Sequence, residues 1–147
     1  MNILFVCTGN TCRSPMAAAL FNKIAVEQGL DVLIESAGIF ANEADGASSE
    51  AVIAMKKYDI DLLGHHAQTI NTELLEKSDL ILTMTAAHKM VLEPSCPGKT
   101  YTLCEYAGTD GDIPDPFGCD VDEYEECADK IYDALLKVAK RIANNEN

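Results

Sequence analysis

Four short runs of hydrophobic residues, each followed by small or polar residues, predict four β-strands. The runs are Met1–Val6, Val32–Glu35, Leu80–Met84 and Tyr101–Cys104. The second run ends at Ser36-Ala37-Gly38, and the fourth has an alternating character. The first run is apolar throughout apart from Asn2, which is typical of a strand buried inside a sheet.

The stretches between these runs carry apolar residues three or four positions apart, as amphipathic helices do. The first helix is predicted to have Ser14 as its N-cap, Pro15 at its first helical position and Gly29 at its end. Further helices are predicted to begin at Ser48-Ser49 and near Asn71-Thr72-Glu73, to cover Ala86–Leu92, and to extend from Val121 to Ile142.

Strands that alternate with helices predict an α/β fold, with a parallel sheet covered by helices on both faces. No repeat, linker or low-complexity stretch divides the chain, so residues 1–147 are expected to form one domain. Ligands of such sheets bind outside the carboxyl ends of the strands. The loop Cys7–Ser14, Ser36, Thr85 and the loop after Cys104 are expected to meet at that edge.

Composition and charge narrow the classes of function. Of 147 residues, 48% are hydrophobic and 24% are charged, which is typical of a globular protein. No apolar run reaches the roughly 18 residues of a membrane span, and no signal peptide is recognisable, so a cytoplasmic protein is expected. The net charge of −13 disfavours nucleic acid and anionic membranes as partners and suits a basic protein partner.

Six cysteines are many for a chain of this length, and without an export signal they are expected to be reduced. None of them has the spacing of a common zinc site, so no metal is predicted. The six positions are Cys7, Cys12, Cys96, Cys104, Cys119 and Cys127.

The pattern C-x5-R-S, from Cys7 to Arg13 and Ser14, lies between the first strand and the first helix. Only about 0.01 such matches are expected by chance in a chain of this composition. A strand-to-helix turn of this kind is a concave anion site, because its backbone N–H groups and the helix dipole point inwards. The predicted phosphate-binding residues are Thr8, Gly9, Asn10, Thr11, Cys12, Arg13 and Ser14.

Arg13 supports this interpretation, because a cation at the positive end of a helix dipole is unfavourable unless an anion lies between them. A guanidinium group binds two phosphate oxygens in a planar fork. The same positive surroundings favour the thiolate, the nucleophilic form of Cys7.

The string from Val6 to Met16, together with Asp115-Pro116-Phe117-Gly118, resembles the low-molecular-weight protein tyrosine phosphatase family. The resemblance covers the whole chain. It implies a four-stranded parallel sheet with helices on both sides, and catalysis without a metal or another cofactor. It further implies that Cys7 attacks phosphorus to form a cysteinyl-phosphate, that Arg13 holds the phosphoryl oxygens and that Ser14 stabilises the thiolate. Asn10, Ser36 and His66 resemble the hydrogen-bonding set that supports the loop.

The long Gly-, Pro- and Asp-rich loop from Gly108 to Gly118 is a candidate source of a proton donor for the leaving group. Composition alone does not choose between Asp112 and Asp115. By resemblance the general acid is Asp115, and Phe117 is an aromatic wall of the substrate pocket. Phe40 is either the opposite wall or an ordinary core residue. Cys12, also by resemblance, is the redox partner that bonds to Cys7 under oxidation.

Thr11 bears on the substrate. Tyrosine-directed members of the family commonly carry isoleucine at this position, whereas bacterial protein arginine phosphatases carry threonine. The segments from Ser36 to Ala41 and from Asp115 to Gly118 also resemble the arginine-directed branch. The chain is therefore expected to hydrolyse phosphoarginine in proteins, with Thr11 offering room and a polar contact to the phosphoguanidinium group.

Three alternatives remain open at this point. The first is a phosphotyrosine phosphatase with the same mechanism. The second is an arsenate reductase of similar fold, although such enzymes relay oxidation through cysteines after the third strand and Thr83–Leu92 contains none. The third is a non-catalytic phosphate-binding or phosphocarrier domain, which would not need Arg13 together with Asp115.

Overall fold

The computed structural model describes residues 1–145 and contains four strands. They are β1 (Asn2–Cys7), β2 (Leu33–Gly38), β3 (Leu80–Thr83) and β4 (Thr100–Thr102). Six α-helices connect or follow them within this part of the chain, and a single 3-10 turn covers Lys56–Tyr58. The helices are α1 (Arg13–Gln28), α2 (Ser49–Met55), α3 (Thr72–Lys77), α4 (Ala86–Leu92), α5 (Leu103–Ala107) and α6 (Val121–Asn145).

The four strands form one parallel sheet in the order β2-β1-β3-β4, which confirms the predicted α/β class. The register brings the carboxyl ends of the strands together, because Cys7 pairs with Gly38 and Thr83 pairs with both Val6 and Thr102. The predicted binding edge of the sheet is therefore a single row of strand ends.

Alternating side chains of β1 point to two hydrophobic cores, one on each face of the sheet. Ile3 and Phe5 belong to the larger core, which α1, α2, α5 and α6 cover. Leu4 and Val6 belong to the smaller core, which α3 and α4 cover. Helices thus pack on both faces, as the uniformly apolar β1 predicts.

Helix α6 has the amphipathic pattern that the sequence predicts. Its buried residues recur every three or four positions along the helix, and they pack against α1, α2 and α5. Gly29 ends α1 as predicted, with a left-handed φ of 66° and its N–H directed at the carbonyl groups of Ala25 and Val26. None of the helices within residues 1–145 combines the length and hydrophobicity needed to span a membrane.

Three predicted boundaries are wrong. Helix α1 begins at Arg13, so Ser14 is its second residue rather than its N-cap, and Cys12 takes the N-cap position. Strand β2 begins at Leu33 and continues to Gly38 instead of stopping at Glu35, because its last small residues remain paired with β1.

The predicted strand Tyr101–Cys104 is the third error. β4 ends at Thr102, and Leu103 and Cys104 begin the unpredicted helix α5. Thr102 and Glu105 form a capping box, in which the Thr102 hydroxyl accepts the Glu105 N–H at 2.9 Å and the Glu105 carboxylate accepts the Thr102 N–H at 3.2 Å. This local signal overrides the alternating pattern that favoured a longer strand.

Candidate active site

The turn between β1 and α1 places Cys7 at the foot of a helix whose first backbone donors are open. Cys12, the N-cap residue, makes no side-chain capping bond, and no acidic residue lies in the first turn of α1. The N-terminal N–H groups of a helix bind anions when nothing else occupies them. The turn is therefore built to receive an anion directly above the Cys7 thiol.

Ser14 contacts the sulfur of Cys7 instead of capping the helix. Its Oγ lies 2.9 Å from Cys7 Sγ, and both residues are buried. The Asn10 amide donates a hydrogen bond to the same Ser14 oxygen at 2.8 Å. Because one lone pair of Ser14 Oγ is taken in this way, its own hydrogen is available to the sulfur, where it stabilises a thiolate.

Asn10 holds the middle of the turn from several sides. Its backbone is left-handed, with φ of 56°, a conformation that asparagine tolerates better than most residues. Its Nδ2 also donates to Ser36 Oγ at 2.9 Å, and its Oδ1 accepts the Gln68 N–H at 3.0 Å. Asn10 is fully buried, so these bonds are the means by which the strained turn keeps its shape.

The histidine that supports the loop is His65 and not His66, so this predicted residue is wrong. His65 Nε2 donates to the carbonyl oxygen of Asn10 at 2.7 Å. His66 is exposed and its backbone forms an isolated bridge with Gly46. Neighbouring residues of an extended segment point to opposite sides, so one position decides which histidine faces the loop.

Gly38, at the end of β2, lies against the outside of the same turn. A Cβ atom at this position would lie 2.5 Å from the carbonyl oxygen of Thr8 and 2.9 Å from the backbone nitrogen of Asn10. Just beyond it, the N–H groups of Ile39 and Phe40 donate to the carbonyl oxygens of Cys7 and Thr8 at 3.0 and 2.9 Å. The turn is therefore moulded against β2.

Arg13 joins the turn to the long loop that carries Asp115. The guanidinium group is buried, its Nη1 donates to the Ile113 carbonyl at 3.0 Å, and its Nη2 lies 3.6 Å from Asp115 Oδ2. The carboxyl of Asp115 is half exposed. The structure thus brings Cys7, Arg13 and Asp115 to one place although they are about a hundred residues apart.

A cleft of about 320 Å³ opens above the Cys7 thiol. Phe40 and Phe117, which are 82% and 75% exposed, line it, so Phe40 is not a core residue. Asn42 and Asp45 also line the cleft, and sequence reasoning missed both because nothing in an exposed polar loop distinguishes them. The full lining is Cys7, Thr8, Gly9, Thr11, Cys12, Arg13, Phe40, Asn42, Asp45, Asp115 and Phe117.

The Cys12 thiol faces α6 and α2. Its Sγ lies 3.2 Å from the Tyr124 hydroxyl and 3.5 Å from Ser48 Oγ. Burial of Tyr124 and its bond to Cys12 raise the pKa of the tyrosine above its usual value. The phenol is therefore neutral at physiological pH.

The other cysteines lie elsewhere in the fold. Cys96 and Cys104 are buried in the smaller and the larger core, Cys119 is exposed and Cys127 is buried. Burial raises the pKa of the Cys127 thiol to about 12. Within residues 1–145, no group of three or more His, Cys, Asp or Glu side chains is placed to hold a metal ion.

His88 and Gln68 are further residues near the site that sequence reasoning missed. His88 Nε2 lies 2.9 Å from Thr8 Oγ1, and the Gln68 amide donates to the Ser36 carbonyl at 2.9 Å. Neither belongs to a motif, and both reach the loop through contacts between distant parts of the chain. No local sequence signal would have found them.

Comparison with known proteins gives consistent matches along the chain. Residues 2–147 match the profile described as low molecular weight phosphotyrosine protein phosphatase. A protein-arginine-phosphatase of Bacillus subtilis is 43% identical over 146 residues, which cover 97% of each chain. The low molecular weight protein-tyrosine-phosphatase PtpB of Staphylococcus epidermidis is 40% identical over 94% of this chain and 96% of its own.

One solved structure is similar throughout. It is a YwlE arginine phosphatase in which a serine replaces the active-site cysteine and is phosphorylated. It superposes with a TM-score of 0.93 at 42% identity, covering 97% of this chain and 96% of its own.

Proposed function

Because the chain belongs to the low molecular weight phosphotyrosine protein phosphatase family and is a protein phosphatase, we propose that it hydrolyses phosphoarginine side chains through a cysteinyl-phosphate intermediate. Cys7 Sγ attacks phosphorus and the phosphorus–nitrogen bond breaks. Asp115 gives its proton to the leaving guanidine nitrogen. Water then attacks the cysteinyl-phosphate, which releases inorganic phosphate and restores the thiolate.

The nucleophile is supported by the contact between Cys7 and Ser14. A hydroxyl 2.9 Å from the sulfur stabilises the thiolate before attack and the same sulfur as a leaving group in the second step. The solved relative with a phosphorylated serine in place of its active-site cysteine supports a covalent intermediate.

Arg13 is the proposed ligand of the phosphoryl oxygens, together with the backbone of residues 8–14. Its Nη1 is fixed by the Ile113 carbonyl, and its Nη2 is too far from Asp115, at 3.6 Å, for a short hydrogen bond. The guanidinium group is thus oriented while part of its donor capacity stays free for an incoming anion.

The preference for phosphoarginine rests mainly on Thr11, which lines the cleft beside Cys7. Its hydroxyl provides a polar contact where an isoleucine would present only hydrocarbon to an aromatic ring. The carboxylates of Asp45 and Asp115 line the same cleft and favour a cationic leaving group over a neutral phenol.

Phosphotyrosine is the second candidate substrate. Phe40 and Phe117 are both exposed at the cleft, and a phenol ring can stack against such side chains. A relative 40% identical is named a tyrosine phosphatase. The two candidates share the mechanism and differ in which side chain the rim accepts.

The decisive experiment compares kcat/KM for phosphoarginine and phosphotyrosine peptides of otherwise identical sequence, with a chelator and a thiol reductant present. We expect faster hydrolysis of the phosphoarginine peptide and none by Cys7→Ser. Thr11→Ile should reduce the ratio of the two rates by at least about tenfold, since it replaces a hydrogen-bonding wall with an apolar one. A wild-type preference for phosphotyrosine would overturn the proposed substrate and leave the mechanism intact.

We propose that the chain works as one catalytic domain in the cytoplasm on phosphorylated proteins, where its six thiols stay reduced. Cys12 is the proposed redox partner of Cys7. A peroxide would take two electrons and two protons from the pair, and the resulting disulfide would protect Cys7 from further oxidation. Mass spectrometry after peroxide treatment should find the Cys7–Cys12 disulfide, and Cys12→Ser should instead accumulate the sulfonate of Cys7.

A further inference from the structure

His88 links two threonine hydroxyls at the wall of the cleft. Its Nε2 lies 2.9 Å from Thr8 Oγ1 and its Nδ1 lies 3.0 Å from Thr85 Oγ1. Thr85 is also the N-cap of α4, where its Oγ1 accepts the His88 N–H at 3.2 Å. The imidazole ring is buried and is held at both of its nitrogen atoms.

The electrostatic surroundings keep this ring neutral. Burial lowers the pKa of His88 below its usual value, and the nearby positive charge of Arg13 lowers it further. The carboxylates of Asp112 and Asp115 oppose this effect without reversing it. A neutral imidazole has one donor and one acceptor nitrogen, so it forms a single hydrogen bond with Thr8 and fixes the orientation of that side chain.

Thr8 follows the nucleophile directly and lines the cleft. Its hydroxyl has one hydrogen and two lone pairs, and the bond to His88 uses one of these three. Whichever partner donates, Thr8 Oγ1 keeps at least one lone pair free to accept a hydrogen bond. Together with Thr11, it puts two hydroxyl groups in the cleft beside Cys7.

We propose that Thr8 is a second specificity-determining residue, which accepts a hydrogen bond from a guanidinium N–H of the substrate, and that His88 is the residue that positions it. This inference rests on the proposed phosphoarginine substrate. A phenol ring has no N–H to offer, so binding phosphotyrosine leaves the Thr8 oxygen buried without a partner. Sites built to bond a substrate donor reject analogues that lack it.

The test uses Thr8→Val, which keeps the shape of the side chain and removes only the hydroxyl. The measurement is the ratio of kcat/KM for the matched phosphoarginine and phosphotyrosine peptides. We expect Thr8→Val to lower this ratio about tenfold, because one hydrogen bond to a charged group is lost. Thr100→Val is the matched control: its buried hydroxyl bonds to the Cys96 carbonyl, outside the cleft, and the ratio should stay at the wild-type value.

Positioning by His88 is tested with His88→Leu and with His88→Gln, whose amide can still bond to Thr8. The leucine variant should lower the ratio about threefold to fivefold, and the glutamine variant should restore part of it. Introduced together with Thr8→Val, the leucine substitution should change the ratio no further, because the hydroxyl that His88 orients is already absent. Circular dichroism verifies that each variant is folded, and the glutamine variant carries the test if the leucine variant is not.

The outcomes separate this inference from the proposed function. A wild-type enzyme that prefers phosphotyrosine overturns both. A wild-type enzyme that prefers phosphoarginine, with the ratio unchanged by Thr8→Val, overturns the role of Thr8 alone. Additive effects of Thr8→Val and His88→Leu on the ratio overturn the role of His88 as the residue that positions Thr8.

Discussion

The base and the rim of the cleft are built in opposite ways. At the base, Cys7, Asn10 and Ser14 are buried and joined by side-chain hydrogen bonds of 2.8 to 2.9 Å. At the rim, Phe40 and Phe117 are mostly exposed and belong to loops rather than to helices or strands. The reacting atoms are thus held in a fixed geometry, while the residues that meet the substrate side chain are free to differ between related enzymes.

The acid loop connects these two regions, and removing its acid should have the largest effect in this set. Asp115→Asn keeps the shape of the side chain but has no proton to give to the leaving group. We expect kcat to fall about a thousandfold on phosphoarginine peptides, within the range that general acids contribute. Steady-state kinetics at saturating substrate provides the measurement.

Asp112→Asn is the control for this prediction. Asp112 lies on the same loop, and its Oδ1 accepts the Ala86 N–H at 2.9 Å, which an amide oxygen can also do. Its kcat should stay within about threefold of the wild type. An equal loss in both variants would show that the charge of the loop matters and not a proton from Asp115.

A substitution in the base should cost both activity and stability. Asn10→Ala removes three side-chain hydrogen bonds and leaves a left-handed backbone without its asparagine. We expect kcat/KM to fall about a hundredfold and the free energy of unfolding to fall by about 2–3 kcal/mol. Peptide hydrolysis and urea denaturation measure the two effects.

Asp59 provides the matched comparison, since its φ of 58° is nearly that of Asn10 and it follows the 3-10 turn. Asp59→Ala should cost about 1 kcal/mol of stability and leave kcat/KM unchanged. If Asn10→Ala lost no more activity than Asp59→Ala, the hydrogen bonds of Asn10 would not be what shapes the catalytic turn.

A substitution at the rim should have the smallest effect of the three. Phe117→Ala removes one exposed wall of the cleft without creating a cavity in the core. We expect KM to rise about fivefold, with kcat and stability nearly unchanged. Met90→Ala, at an equally exposed apolar residue outside the cleft, should alter neither constant. A fall in kcat comparable to the rise in KM would mean that Phe117 acts on the reaction itself.

Sequence reasoning predicted the base far better than the rim. The pattern from Cys7 to Ser14 is contiguous and bounded by a strand and a helix, so its position at the binding edge follows from topology alone. The predicted cap at Ser14 was wrong because its hydroxyl contacts Cys7, and a motif residue used by the site is unavailable to the helix end.

The remaining errors concern contacts between residues far apart in sequence. The choice between His65 and His66 depends on which way one extended segment faces, and a single sequence does not specify that. Asn42, Asp45 and His88 reach the cleft only because the loops fold over it. Their residue types are ordinary for exposed loops or a helix start, so composition and spacing carry no information about them.

The close approach of Gly38 to the catalytic turn has a consequence for heating. β2 is an edge strand, hydrogen-bonded to a neighbouring strand on one side only, and edge segments open by local fluctuation at lower free energy than the centre of a sheet. Because the backbone of Thr8 and Asn10 rests against Gly38, every such opening removes the support of the turn. Catalytic competence therefore has the thermal stability of the sheet's margin, and on warming it is lost before the hydrophobic cores melt.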